Sequence, residues 1–251
     1  MKNRLLISLV ILSLVVPFIL TACSGGTTTT TTTTTSTSST STTSTSTTTS
    51  TTLTTTTNPG GEVEAVEFNG TKLTPIKQQQ NNALAGTQTI DRASYTLTVN
   101  GLVDHPLTLT YDDLLALPQQ ERLQDLDCVE GWNFTAKWTG PSLNDIFKAA
   151  GVKPEAKIVI FHTADVPSGY SSLDVSYIVD NDILIGMKDN DITLPAERGF
   201  PFQVVAMSKF GYKWAKWVTS IELSDNTSFR GYWETVGYSN NADVNGPAFG
   251  N

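Results

Sequence analysis

Histidine and cysteine are scarce in this 251-residue chain, with His105, His162, Cys23 and Cys128 the complete set. No CxxC pair and no HExxH occur, which excludes a conventional zinc site. CxxCH is missing, and covalent haem with it. The two histidines come without a G-x-S-x-G elbow, so a serine hydrolase is disfavoured. Neither a Rossmann nor a P-loop glycine pattern is present. Positive charge is short too: 16 Lys and Arg face 24 Asp and Glu, a formal net charge of −8. Such an acidic chain argues against nucleic acid or an anionic membrane surface as a partner.

What is present begins with a leader. Lys2 and Arg4 precede an apolar run from Leu5 to Leu20, too short and wrongly flanked for a stable span, so residues 1–22 read as a signal peptide. Leu20-Thr21-Ala22-Cys23 resembles a bacterial lipoprotein box, which implies lipidation of Cys23. From Thr27 to Thr57 every residue but Leu53 is Thr or Ser. Such a segment buries no apolar surface to offset its ordering entropy, so 23–61 is expected to be a disordered stalk. Extended at about 3 Å per residue, it reaches roughly 90 Å from a membrane. With Cys23 lipidated, Cys128 has no intramolecular disulfide partner. Loss of Lys2 and Arg4 takes the net charge to −10.

Residues 62–251 suffice for one hydrophobic core. Glu62–Thr89 is polar and is expected to lie as an arm over the domain. Tyr95–Val99 alternates and meets Asn100-Gly101, which predicts a half-buried strand. Leu107–Leu109 is a second short strand, and Thr110 caps a helix over Tyr111–Leu117 that Pro118 ends. Gln119–Asp127 is a strand delivering Cys128. Ser142 starts a helix over Leu143–Ala150, closed by Gly151. Ile158–Phe161 is a buried strand. Gly169–Ser172 reads as a polar loop and Asp189–Asp191 as a turn. Phe202–Ala206 and Trp217–Leu223 read as strands. The class is α+β, with several short strands and few helices.

Two stretches carry chemistry. Leu126–Phe134 sets Cys128 beside an acid, a glycine and Trp132, and composition alone leaves a ligand, a nucleophile or plain core open. Arg198 to Lys216 holds Arg198, Lys209, Lys213 and Lys216 and no acid. In an acidic domain this is a focused positive patch. Gly199 and Gly211 let backbone approach an anion, and Tyr212, Trp214 and Trp217 suit a planar one. The bland alternative is a strand with solvated lysines.

Asp127-Cys128-Val129-Glu130-Gly131-Trp132, with Trp138-Thr139-Gly140, resembles the cysteine segment of molybdopterin oxidoreductases of the sulfite oxidase superfamily. Arg198-Gly199-Phe200-Pro201-Phe202-Gln203 and Lys209 to Trp217 resemble that family's pterin-binding stretch. Gly231-Tyr232-Trp233-Glu234 and Gly237-Tyr238-Ser239 resemble its C-terminal continuation. The resemblance covers about Tyr95 to Val244 and implies a sulfite oxidase-type molybdopterin-binding fold. It makes Cys128 the catalytic molybdenum ligand, a soft thiolate donor suited to a redox metal. It implies molybdopterin contacts from Asn81, Ser171, Arg198, Gln203, Gly211, Lys213, Trp214 and Lys216. Oxygen-atom transfer is the implied reaction, on a small-molecule or protein sulfoxide. Electrons would come from a separate partner, since the chain carries no haem or iron–sulfur motif.

Two departures bear on that expectation. Gln203 stands where relatives often place an arginine, and Arg198 where they place a histidine. Glu130 lies beside the cysteine where a carboxylate would repel sulfite, which points to the methionine-sulfoxide reductase branch. Lys2-Asn3-Arg4 is not a twin-arginine signal. The alternative is a surface-tethered binding module that keeps the fold without the cofactor. Either way the protein is expected outside the cytoplasm, held to a membrane by lipid.

Overall fold

The computed structural model describes residues 60–250. The leader, Cys23 and nearly all of the expected stalk therefore lie outside the described residues. In chain order the strands are β1 (Glu67–Phe68), β2 (Thr71–Lys72), β3 (Thr96–Gly101), β4 (Leu107–Thr110), β5 (Gln119–Asp127), β6 (Asn133–Pro141), β7 (Ile158–Thr163), β8 (Ser171–Asp174), β9 (Leu184–Gly186), β10 (Lys188–Asp189), β11 (Ile192–Thr193), β12 (Gln203–Val205) and β13 (Val218–Ser224). The helices are α1 (Tyr111–Ala116), α2 (Leu143–Ala150), α3 (Val175–Asn181) and α4 (Tyr232–Thr235). The class is α+β.

The larger sheet runs β4-β3-β13-β7-β8, with β13 parallel to β3 and the other pairs antiparallel. Ile158 to Phe161 in β7 are buried on both faces, as a continuous β-branched run requires at the interior of a sheet. A second sheet runs β11-β10-β6-β5, dominated by the β5–β6 hairpin that pairs from Gln119↔Pro141 to Asp127↔Asn133. That long ladder fixes the direction in which residues 128–132 leave the sheet. A short β9–β12 pair lies between these elements in sequence and supplies Gln203.

The helices form where capping and apolar spacing coincide. Thr110 and Asp113 make a reciprocal capping box on α1. Ser142 caps α2, whose Leu143, Ile146, Phe147 and Ala150 face the core. Gly151 ends it in the left-handed conformation, its N–H bonded to the Phe147 carbonyl. Helix α3 was not anticipated: only Ile178 among its residues is buried, so the sequence shows no apolar stripe. The stretch expected as a loop at 169–172 instead enters strand β8 at Ser171. Both serines are buried there, the Ser171 hydroxyl donating to Glu234 and the Ser172 carbonyl accepting from Lys213.

The arm is tied down at several points. Glu62 accepts from Lys188 and Thr193, Leu73 is buried, and Thr74 N–H bonds the Thr135 carbonyl at 2.8 Å. A three-residue turn over Ile76–Gln78 then carries the chain toward the β5–β6 hairpin end.

The C-terminal segment is anchored by a buried ion pair, Lys213 with Glu234, both side chains fully inaccessible. Lys213 also donates to the Ser172 carbonyl at 3.0 Å and the Asn240 amide oxygen at 3.2 Å. Ser171 donates to the same Glu234 carboxylate at 2.9 Å. Burial pushes the Lys213 ammonium down, and Glu234 opposes that shift. Removing one partner leaves the other charge buried alone. Glu234→Ala should therefore cost about 3–5 kcal/mol in urea unfolding, whereas replacing both residues with apolar ones of similar volume should cost less.

Candidate active site

A cleft of about 280 Å³ opens where the β5–β6 hairpin end, the arm at 80–84, the loop after β7 and the segment 198–217 converge. Cys128, Asn81, Arg198, Gln203, Gly211, Trp214 and Lys216 all line it. The cysteine stretch and the basic stretch, about seventy residues apart in sequence, thus share one wall-to-wall space.

Cys128 is placed by a tight turn. Its N–H donates to the Trp132 carbonyl at 2.9 Å, and the Gly131 N–H donates to the Cys128 carbonyl at 3.0 Å. The turn needs Gly131 at φ +86°, a conformation costly to any residue with a Cβ. Curling the backbone this way directs the amides of Glu130 and Val129 at the Cys128 sulfur. Burial pushes the thiol up, these amides pull it down, and the net direction is up. A bound metal cation would reverse that balance by taking the thiolate as ligand. Glu130 stays exposed at the rim, its carboxylate accepting from the Trp132 indole at 2.8 Å and from Asn82. Those bonds hold its pKa below the ordinary value.

The cations opposite are short of partners. Arg198 is 3% exposed, donates through Nη1 to the Gln80 carbonyl at 3.0 Å, and lies 4.5 Å over the Phe134 ring. Its Nε is 3.7 Å from Asp189, beyond hydrogen-bond range, and Nε and Nη2 have no hydrogen-bond acceptor. Burial raises Asp189 to about 6, against the pull of Arg198 and Gln79. Lys216 reaches only neutral oxygens, those of Asn81, Asn82 and Glu197. Burial, then the Arg198 charge, push its pKa down to about 7. Gln203, 3% exposed, donates weakly to the Trp214 carbonyl at 3.4 Å and leaves Oε1 unpaired.

Local geometry supports this cluster. Gly199, at φ +106°, approaches so closely that a Cβ there would meet the Lys216 Cβ and Cγ at 3.0 Å. Trp217 takes φ +54°, unusual for a bulky residue, with its indole bonded to the Ala196 carbonyl at 2.7 Å and the Lys216 ammonium 4.3 Å over its ring. Buried donors aimed at a cleft without their full set of acceptors suit a phosphate-bearing cofactor.

Two expected contacts are placed elsewhere. Ser171 and Lys213 do not line this cleft; they belong to the buried Glu234 network. The residues missed by the sequence reading are Asp165, Tyr170 and the aromatic rim of Trp233 and Tyr238. Tyr170 adjoins the expected Ser171 just before β8 begins, and it lines the cleft while the Ser171 hydroxyl turns to Glu234. Trp233 and Tyr238 stood in quoted motifs but carried no assigned role.

A thiol held at a hairpin end and facing under-partnered cations defines a cleft suited to an anionic ligand. The chain belongs to the oxidoreductase molybdopterin binding domain family, whose model matches residues 84–233. It is similar to a putative protein-methionine-sulfoxide reductase subunit of Azospira oryzae, 35% identical over 182 residues and covering 68% of each chain. A protein-methionine-sulfoxide reductase catalytic subunit of Campylobacter jejuni is 25% identical, covering 68% of this chain and 63% of that protein. Among solved structures, the sulfane dehydrogenase SoxCD of Paracoccus pantotrophus superposes with a TM-score of 0.59 at 25% identity, over 68% of this chain and 49% of that one. The chain spans only part of these proteins, and the shared part contains the cofactor fold.

Lys216→Ala should lower the pterin content of the purified protein, measured after acid release, with the fold retained. The charged ammonium is the anion-binding form, so its depressed pKa sets a pH limit. Affinity of cofactor-free protein for sulfate, an anion that does not titrate, should be highest below pH 7 and decline as pH rises through about 7. Calorimetric titration at several pH values checks the sign.

Proposed function

We propose that this chain is a lipid-anchored, extracytoplasmic oxidoreductase that removes oxygen from a sulfoxide at a molybdenum centre ligated by Cys128. The observation that carries the reading is the placement of the Cys128 sulfur in one cleft with Arg198 and Lys216. Cys128 would hold the metal. Arg198, Lys216, Gln203 and Asn81 would hold the pterin through donors and acceptors that the protein leaves partly unused. When bound, the cofactor supplies two-electron oxygen-atom exchange, and the protein supplies orientation and charge.

The rim favours a neutral substrate. Glu130 keeps its charge through the Trp132 and Asn82 bonds, so an anion such as sulfite meets repulsion where a sulfoxide does not. Trp132, Trp233 and Tyr238 offer apolar faces to the alkyl groups of a thioether-derived substrate. The names of the Azospira and Campylobacter relatives support the same substrate class. Because the sequence lacks a haem or iron–sulfur motif, electrons come from a separate donor. The domain starting at residue 62 would hang from Cys23 by the Thr/Ser stalk, which gives it reach from the membrane.

Protein purified from its native membrane should contain molybdenum and pterin in near-stoichiometric amounts and should oxidise reduced viologen when a methyl sulfoxide is added. Cys128→Ser should cost at least about a hundredfold in that rate while keeping pterin, since even loss of a ligand's outer partner costs up to that much. Native protein free of molybdenum, or full activity in Cys128→Ser, would refute the assignment.

A further inference from the structure

Neither histidine lines the cleft, so a donor for the substrate oxygen has to come from another side chain. Three tyrosines face it, Tyr170, Tyr212 and Tyr238. Tyr212 is committed, donating to the Ser239 carbonyl at 2.8 Å. Tyr238 packs into the aromatic rim, 5.3 Å from Trp233 and 4.6 Å from Phe249 between ring centres.

Tyr170 is held differently. Its N–H donates to the Phe161 carbonyl at 2.8 Å, and its carbonyl accepts the Tyr232 N–H at 2.9 Å. The backbone is therefore pinned between β7 and the start of α4. Burial pushes the phenol up, the neighbouring Trp233 indole pulls it down, and the Asp165 and Glu234 carboxylates add to the rise. An indole N–H can only donate, so a hydrogen bond from Trp233 leaves the phenol proton free to point elsewhere. Among the described residues, no side chain or carbonyl takes that proton. Burial raises the phenol pKa, which keeps the proton in place at neutral pH.

We propose that the Tyr170 hydroxyl is a catalytic group that donates a hydrogen bond to the substrate's sulfoxide oxygen as its S–O bond breaks. The proposal rests on the sulfoxide reading of the same cleft. In that reaction the sulfoxide takes two electrons from the external donor and two protons from solvent, leaving as sulfide and water. Sulfur departs with its lone pair restored, and negative charge grows on oxygen. A donor fixed at that oxygen binds it more strongly in the transition state than in the ground state. Trp233 is a positioning residue, because it sets which way the phenol proton points.

Tyr170→Phe in the molybdenum-loaded full chain tests this, with rates taken per molybdenum. With methyl p-tolyl sulfoxide and reduced viologen, kcat should fall about a hundredfold while KM changes far less. Metal content, pterin content and Tm should match the wild type. A second readout is independent of turnover: affinity for dimethyl sulfone, used as a non-turned-over oxygen acceptor, should fall about fivefold, followed by tryptophan fluorescence. A fall in kcat with sulfone affinity unchanged still supports the assignment, as a contact made only in the transition state. A loaded variant that keeps wild-type kcat overturns it. A loaded wild-type protein inactive on every sulfoxide overturns the sulfoxide reading itself, and the role of Tyr170 with it.

Discussion

Burying positive charge without enough negative charge beside it is the constraint on which this structure turns. Arg198 is almost wholly enclosed, yet its nearest carboxylate stands at 3.7 Å, and two of its nitrogens lack acceptors. Lys216 is satisfied only by neutral oxygens, and its pKa falls to about 7. Desolvated cations of this kind are unfavourable in an empty fold and become favourable once an anion joins them. The cleft is therefore shaped around something the polypeptide does not itself supply. Its opposite wall carries Cys128, set by the tight turn through Gly131.

Two lysines three residues apart show how selectively that constraint is applied. Lys213 lies at zero exposure against Glu234, Ser172 and Asn240, and serves to clamp the C-terminal segment onto β8. Lys216 points to the other side, toward Cys128 and the arm. The short turn over Gly211–Lys213 and the left-handed backbone at Trp217 separate their directions. One stretch of positive charge thus divides into a structural half and a ligand-facing half. The clamp also serves the site, because it seats α4 and brings Trp233 and Tyr238 to the rim.

Much of the fold was legible because it is locally encoded. The capped helices at Tyr111 and Leu143, the buried run at Ile158, and the strand that ends at Cys128 each follow from spacing and terminal residues within a dozen positions. Cys128, Arg198 and Lys216 were legible as candidates through their motifs, and the fold sets all three in one cleft. Helix α3 was not, since tertiary contacts stabilise a segment with one buried residue. Ser171 was expected at the cofactor and instead donates to Glu234, while Tyr170, one residue earlier, lines the cleft.

By itself the sequence determined the kind of site: a single thiol, an acid-free basic stretch, and a family resemblance that joins them to molybdopterin. It also determined that Glu130 would stand two residues from Cys128. Only the tertiary structure decided which cations are left for a ligand and which are spent on the protein's own acids. That outcome depends on Glu234, Asp189 and the arm residues Asn81 and Asn82 arriving from far along the chain. Charge pairing is a property of distance in space, and the sequence records only the charges.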